Sequence, residues 1–339
     1  MGADITILTA GTLTDRGQRA LPMPTGVARL LKLGSRLRVP AGSALARVWE
    51  LFDMPPPENF DYPVAALEYL GRSRSIPAGW PICADLVHLR PEGGRLYLVT
   101  GDCLDVEQAD GDTLFRELED HFADRGWRWS GFDATHAVVC TPAAARIRTH
   151  PPDAIAGEDV DAYLPHGPDA RDWHGYMNEC QMRLHACAIN EARERAEVPT
   201  VNSIWFWGGG GLPAAPQSTP WDLVFTQEPL FRGLAEVAGA QTVPLPDSMD
   251  ALLARVPEGR RALLVCCDLR SLVRVLDREQ GAALLGSLDE TWVSPAMCAL
   301  KEGQLRALTV SDAAGGEFVL TAHTARRWWR AWRWKRTAR

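Results

Sequence analysis

Residues 172–213 hold the densest set of side chains able to do chemistry, in the stretch DWHGYMNECQMRLHACAINEARERAEVPTVNSIWFWGGGGLP. Read as one helix over 172–195, the stretch presents Asn178, Gln181, His185 and Arg193, with Met177, Cys180, Leu184 and Cys187 suited to the buried side. Pro199 then leads into a short strand whose Trp205 and Trp207 alternate and so point the same way. Gly208, Gly209, Gly210 and Gly211 follow. Lacking Cβ atoms, they let backbone N–H groups come close to a ligand, and successive N–H groups in such a turn can cradle an anion. Asn190, Arg193 and Asn202 add polar contacts, arginine being suited to a bidentate hold on phosphate or carboxylate. The pattern is that of a pocket for a small anionic ligand. It is equally that of a tryptophan-rich core strand followed by a flexible loop. His174 and His185 lie three helical turns apart and cannot share a metal on one straight helix.

Other chemistry-bearing residues are more scattered. Asp85, His88 and Arg90 either face a ligand or belong to a strand start, and Asp105, Glu107, Asp110 and Asp112 suit the N-terminus of a helix over 104–125. The eight cysteines include no CxxC pair and most sit in apolar runs, which points to buried free thiols rather than a zinc site or a disulfide framework. No P-loop, GxSxG or HExxH motif occurs. From 326 onward seven Lys/Arg and four Trp occur without an acid. Such a tail either contacts nucleic acid or an anionic membrane surface, or forms an amphipathic last helix packed on the acidic body.

The elements that must position these residues alternate. Apolar runs at 5–8, 96–100, 137–140, 203–207, 223–226, 262–267, 307–310 and 318–321 read as strands. Helical patterns occupy 23–33, 104–125, 172–195, 229–237, 249–256, 271–282 and 322–334. This predicts an α/β protein, a mostly parallel sheet with helices on both faces. The section 82–203 has its own rhythm and reads as a smaller α+β domain inserted into a core formed by 1–81 and 204–339. With 46% apolar residues the 339-residue chain can bury a sizeable core, and a formal charge of −7 argues against nucleic-acid binding by bulk electrostatics. No apolar run approaches a membrane span, and 1–10 reads as a strand rather than a signal peptide, so a cytoplasmic location is expected.

The 172–213 segment resembles the archaeal-type, cofactor-independent phosphoglycerate mutases of the alkaline phosphatase superfamily. The resemblance rests on Asn190-Glu191-Ala192-Arg193, on Pro199-Thr200-Val201-Asn202 and on Gly208–Gly211. It is closer still to a bacterial group described as phosphoglycerate mutase-like or pathogenicity-factor regulatory protein E, through Cys83-Ala84-Asp85-Leu86-Val87-His88-Leu89 and the same tryptophan–glycine run. The resemblance implies an alkaline phosphatase-like core with an inserted substrate domain. For active mutases it implies two divalent metals, typically manganese, and a serine nucleophile. Here the family's metal-binding Asp on the first strand falls at Ala10, and the nucleophile motif falls on Pro40-Ala41-Gly42-Ser43-Ala44. The late Asp-His pair falls on Asp312-Ala313, and Asp268 is followed four residues on by Leu272 instead of His. Ser43 survives as a relic nucleophile, and His323 is the sole imidazole in the last third.

The resulting expectation is a degenerate mutase-like protein without a metal cofactor, binding a small phosphorylated metabolite or a protein partner in a regulatory role. One alternative is an active mutase or phosphotransferase using Ser43 and manganese. Another is an interaction protein working through 326–339.

Overall fold

A computed structural model describes residues 2–11, 13, 23–38, 43–57, 61–273, 278–313 and 315–325. The chain divides into two compact units, Met1–Pro55 with Ala214–Arg339, and Pro56–Pro213. The first unit opens with β1 (Ala3–Thr9), α1 (Thr25–Leu33), β2 (Ser35–Arg38) and α2 (Ala44–Leu51). The second contains α3 (Val64–Ser73), β3 (Trp80–Glu92), β4 (Arg95–Thr100), α4 (Gln108–Phe122), β5 (Arg128–Gly131) and β6 (His136–Thr141). It closes with α5 (Ala170–His185), α6 (Ala188–Arg195) and β7 (Ser203–Trp207). The chain then re-enters the first unit through β8 (Leu223–Phe225), α7 (Pro229–Val237), β9 (Gln241–Val243), α8 (Met249–Leu253) and β10 (Arg261–Val265). There follow α9 (Leu269–Val273), α10 (Arg278–Leu288), a π-helical turn Asp289–Val293, α11 (Ser294–Glu302), β11 (Leu305–Asp312), β12 (Gly316–Thr321) and α12 (Ala322–Ala325).

The first unit is built on a seven-stranded sheet in the order β2-β12-β11-β1-β10-β8-β9. The five strands from β11 to β9 are parallel, and β12 and β2 add an antiparallel edge. Parallel strands are covered on both faces, which is why β1 and β10 read as nearly continuous apolar runs. Ile5, Ile7, Leu264, Leu308 and Val310 pack with residues of α1, α8, α10 and α11 in one core. Val224 and Leu263 alternate to the opposite face. Phe231 of α7 meets Phe52, which caps α2, with ring centroids 6.3 Å apart. No helix among the described residues is long and apolar enough to cross a membrane.

The second unit centres on β3, a 13-residue strand that pairs antiparallel with β6, β7 and β4 along successive stretches. The registers place Cys83 and Asp85 of β3, His136 of β6, and Trp205 and Trp207 of β7 on one face of this sheet. The other face carries Ala84, Phe206 and Trp129, and packs through Phe206 against Trp173 of α5 at 5.1 Å between ring centroids. The start of β3 and all of β7 and α3 therefore group with the antiparallel sheet, so this unit begins and ends outside 82–203. The single helix expected over 172–195 is two helices, broken at Ala186–Cys187. The break leaves the Leu184 carbonyl for the Asn190 side chain, whose Nδ2 donates to it at 2.8 Å.

Candidate functional site

In open α/β sheets ligands gather outside the carboxyl ends of the parallel strands. At the end of β11, Asp312 is fully buried and opposite Thr9 of β1, and its carboxylate accepts the Leu13 N–H at 2.9 Å. Ala10, next along from β1, offers no ligand atom. Beyond β10, Asp268 accepts the Ser271 N–H at 2.6 Å, opening α9. Beside Asp312, Ser311 accepts from Arg47 Nε at 3.0 Å, and the same guanidinium pairs with Glu317 and, at 2.9 Å, with Glu50. The Arg47 guanidinium thus lies against Ser311 near the end of β11. His323, on α12, is exposed. Among the described residues this donor set does not fit two divalent ions: it supplies no imidazole at the strand ends, and Asp268 and Asp312 each accept a main-chain N–H. Ser43 is exposed and caps α2, its hydroxyl accepting the Ala46 N–H at 3.2 Å. The remainder of its expected motif, 40–42, lies outside the described residues.

A cleft of about 350 Å³ opens at the ends of β8 and β10, lined among others by Glu228, Cys266, Cys267, Asp268, Leu288 and Trp292. Its described lining carries two carboxylates and no cationic side chain. Burial pushes the Cys266 thiol up to about 12, so it is not a thiolate nucleophile at neutral pH.

The 172–213 residues are placed differently from an open anion pocket. Asn190 is buried and clamps the strand entry, its Nδ2 also donating to the Val201 carbonyl at 2.7 Å while its Oδ1 accepts the Val201 N–H at 2.8 Å. Arg193 donates to the carbonyls of Pro199 at 2.8 Å, Asp105 at 3.1 Å and Leu104. Asn202 pairs through both side-chain atoms with the main chain of Leu89. Trp205 and Trp207 do share a face, yet both are buried. Trp205 Nε1 donates to the His150 carbonyl at 2.8 Å and Trp207 Nε1 to Asp85 Oδ2 at 2.6 Å. Gly208 N donates to Thr149 Oγ1 and Gly210 N to the Pro81 carbonyl. Gly209 and Gly210 are needed for close packing: a Cβ on Gly209 would stand 2.3 Å from the Trp80 ring and one on Gly210 2.8 Å from Pro63. His185 ends α5 exposed. His88 and Asp85 fall on opposite faces of β3, and His88 Nδ1 lies 2.8 Å from the Thr200 carbonyl.

Of the group that the fold does assemble, the sequence pointed to Asp85 and passed over His136 and Glu68. His136 lies between two carboxylates, its Nδ1 on Asp85 Oδ1 and its Nε2 2.9 Å from Glu68 Oε2, all three buried. Cys83 Sγ lies 3.7 Å from the same Glu68 oxygen. Burial alone would push the His136 imidazole down, but the charges of Asp85 and Glu68 outweigh it and hold the imidazole well above its ordinary range. The available signal was a lone acid inside the apolar helix 64–70 and a lone histidine opening the apolar strand 136–141.

A half-buried carboxylate, Asp61, holds the glycine turn. Thr149 donates its hydroxyl and its N–H (2.9 Å) to Asp61, while its oxygen accepts from Gly208 N at 3.0 Å. Burial, opposed by these hydrogen bonds, raises the Asp61 carboxyl to about 6. A folded-state pKa above the unfolded one means stability fully present below the unfolded value and lost as pH rises through about 6. Asp61→Asn should remove this loss. Between pH 4 and 7.5 the stability of the natural protein is expected to fall relative to the variant by about 2–3 kcal/mol. Urea midpoints across that range check it, and parallel profiles would contradict it.

No protein-family model matches the chain. Over 302 residues it is 25% identical to the 2,3-bisphosphoglycerate-independent phosphoglycerate mutase of Methanosarcina acetivorans, covering 84% of this chain and 71% of that protein. It is 28% identical over 147 residues to 2,3-bisphosphoglycerate-independent phosphoglycerate mutase 2 of Methanothermobacter thermautotrophicus, covering 42% of this chain and 37% of that protein. Among solved structures, the PH0037 protein of Pyrococcus horikoshii matches with a TM-score of 0.58 at 11% identity, covering 94% of this chain and 86% of that one. That likeness speaks to the fold alone. The chain is thus similar in sequence to 2,3-bisphosphoglycerate-independent phosphoglycerate mutases and shares the α/β fold of the PH0037 protein.

Proposed function

We propose that this relative of the cofactor-independent phosphoglycerate mutases has given up two-metal phosphoryl transfer and acts as a binding protein in a regulatory role. The observation that carries the reading is the donor set at the carboxyl edge of the parallel sheet. There Ala10 and Leu272 offer no ligand atom, Asp268 and Asp312 accept main-chain N–H groups, and the Arg47 guanidinium lies against Ser311. Without a metal or an adjacent base, the Ser43 hydroxyl keeps a pKa far above neutrality and is a poor nucleophile. Of the two ligand classes expected from sequence, a protein partner is the better supported. Asn190, Arg193 and Asn202 are already committed to main-chain groups, and the described lining of the sheet-edge cleft is acidic. The basic, tryptophan-rich stretch 326–339, a second candidate for partner contact, lies outside the described residues.

The test is direct. Purified protein with manganese and 3-phosphoglycerate is expected to form no 2-phosphoglycerate, and manganese is expected to leave the thermal midpoint unmoved. A ligand at 100 times its Kd would stabilise by about 2.7 kcal/mol, which such a scan would register. The active-mutase alternative draws on Ser43 standing exposed at the start of α2. Turnover that Ser43→Ala abolishes would establish that alternative and overturn the proposal.

A further inference from the structure

We propose that Cys83, His136 and Glu68 form a buried zinc site in the second unit, with Asp85 as the group that orients the histidine. Scattered cysteines without a CxxC pair give no hint of zinc in the sequence, yet the fold brings three different ligand types to one point. Sγ of Cys83, a ring nitrogen of His136 and a carboxylate oxygen of Glu68 all lie within 4.8 Å of one another, each on a buried residue. They come from three separate elements. Cys83 is on β3, His136 is on β6 two registers from Cys83's own partner, and Glu68 comes from α3, which packs on β3.

The second layer is that of a built metal site. A zinc-bound histidine typically passes its other ring N–H to a carboxylate, which fixes the tautomer. Here His136 Nδ1 is on Asp85 Oδ1, leaving Nε2 on the side of Glu68, and the other Asp85 oxygen is held by Trp207 Nε1 at 2.6 Å. Zn–S of about 2.3 Å and Zn–N and Zn–O of about 2.0–2.2 Å put ligand atoms roughly 3.2–3.8 Å apart around one ion. The Cys83–Glu68 separation of 3.7 Å already meets this, and the His136–Glu68 separation of 2.9 Å must open by a few tenths of an ångström. The fourth position falls to the second Glu68 oxygen or to water.

Zinc is held by a thiolate and a neutral imidazole, so its binding releases to solvent whatever protons those ligand atoms carry.

The full chain, produced with zinc in the medium, is expected to carry about one zinc per molecule after extensive dialysis, and Cys83→Ala to carry less than a tenth of that. Cys180→Ala, which removes a buried thiol on α5 outside the cluster, should retain the full amount. Cobalt substituted for zinc should give a thiolate charge-transfer band that Cys83→Ala lacks. Zinc held equally by Cys83→Ala would be surface binding and would overturn the site, as would protein that stays metal-free and shows no cobalt band. Cys83→Ala leaves Glu68, Asp85 and His136 in place, so a native circular-dichroism spectrum separates loss of the ligand from loss of the fold. Mutase turnover plays no part in these readouts, so this site and the proposed loss of phosphoryl transfer stand or fall separately.

Discussion

Trp205→Ala is expected to destabilise the protein by about 3–5 kcal/mol, the range for deleting a large aromatic from a core that cannot collapse around the space. Trp205 is 1% exposed, among the largest fully buried side chains described. Its indole N–H also satisfies the His150 carbonyl at 2.8 Å, which the truncation would leave without that donor. Trp205→Phe keeps most of the ring and loses that hydrogen bond, so it should cost roughly 1–2 kcal/mol. The contrast decides between the two readings that the tryptophan–glycine run leaves open. A ring lining a ligand pocket would tolerate truncation and lose ligand affinity, whereas a core ring behaves as stated. Urea unfolding at constant m-value measures the difference. A loss under about 1 kcal/mol for Trp205→Ala would return the tryptophans to the pocket reading.

Much of the fold is legible in the sequence because local pattern and tertiary role agree. The apolar run 203–207 is β7, Pro229 opens α7 at its N-terminus, where a missing N–H costs nothing, and the buried parallel strands read as apolar runs. The central strand of the second unit is harder to read. β3 carries Pro81, Asp85, His88 and Pro91, and its identity as a strand comes from pairing with three neighbours rather than from alternation. The helix break at Ala186 is invisible locally, since Ala, Cys and Leu all suit a helix; Asn190, six residues on, takes over the freed Leu184 carbonyl. Of the helix expected over 271–282, the described residues lie in α9 and α10, and 274–277 fall outside the described residues. The site is legible in residue type and not in role. A polar residue between apolar neighbours announces an important contact, but whether it faces a ligand or a backbone carbonyl depends on which loop the fold brings opposite. Glu68 and His136, 68 residues apart, meet only because α3 lies over the face of β3 and β6 that bears the histidine.

Arg193→Met is expected to cost about 3–4 kcal/mol, by removing charge-assisted hydrogen bonds worth roughly 1.5–3 kcal/mol each and leaving carbonyls without donors, partly offset by the methionine's packing. The guanidinium spans three carbonyls from two loops: Leu104 and Asp105 after β4, and Pro199 before β7. Asp105 adopts a left-handed backbone with φ 48°, a conformation that costs a non-glycine residue about a kilocalorie and persists where surrounding contacts enforce it. The consecutive carbonyls of 104 and 105 both reach the same guanidinium, and this is the contact that enforces the turn. Arg193→Lys keeps the charge but presents a single ammonium in place of a planar fork, so it should recover less than half of the loss. A residue that serves phosphate instead would show another signature: the natural protein would gain stability with added inorganic phosphate and both variants would not. The expected result is a cost independent of phosphate, read from urea midpoints with and without the anion. A phosphate-dependent gap between natural protein and variant would reinstate Arg193 as an anion ligand, and with it the retained metabolite pocket that the sequence resemblance implies.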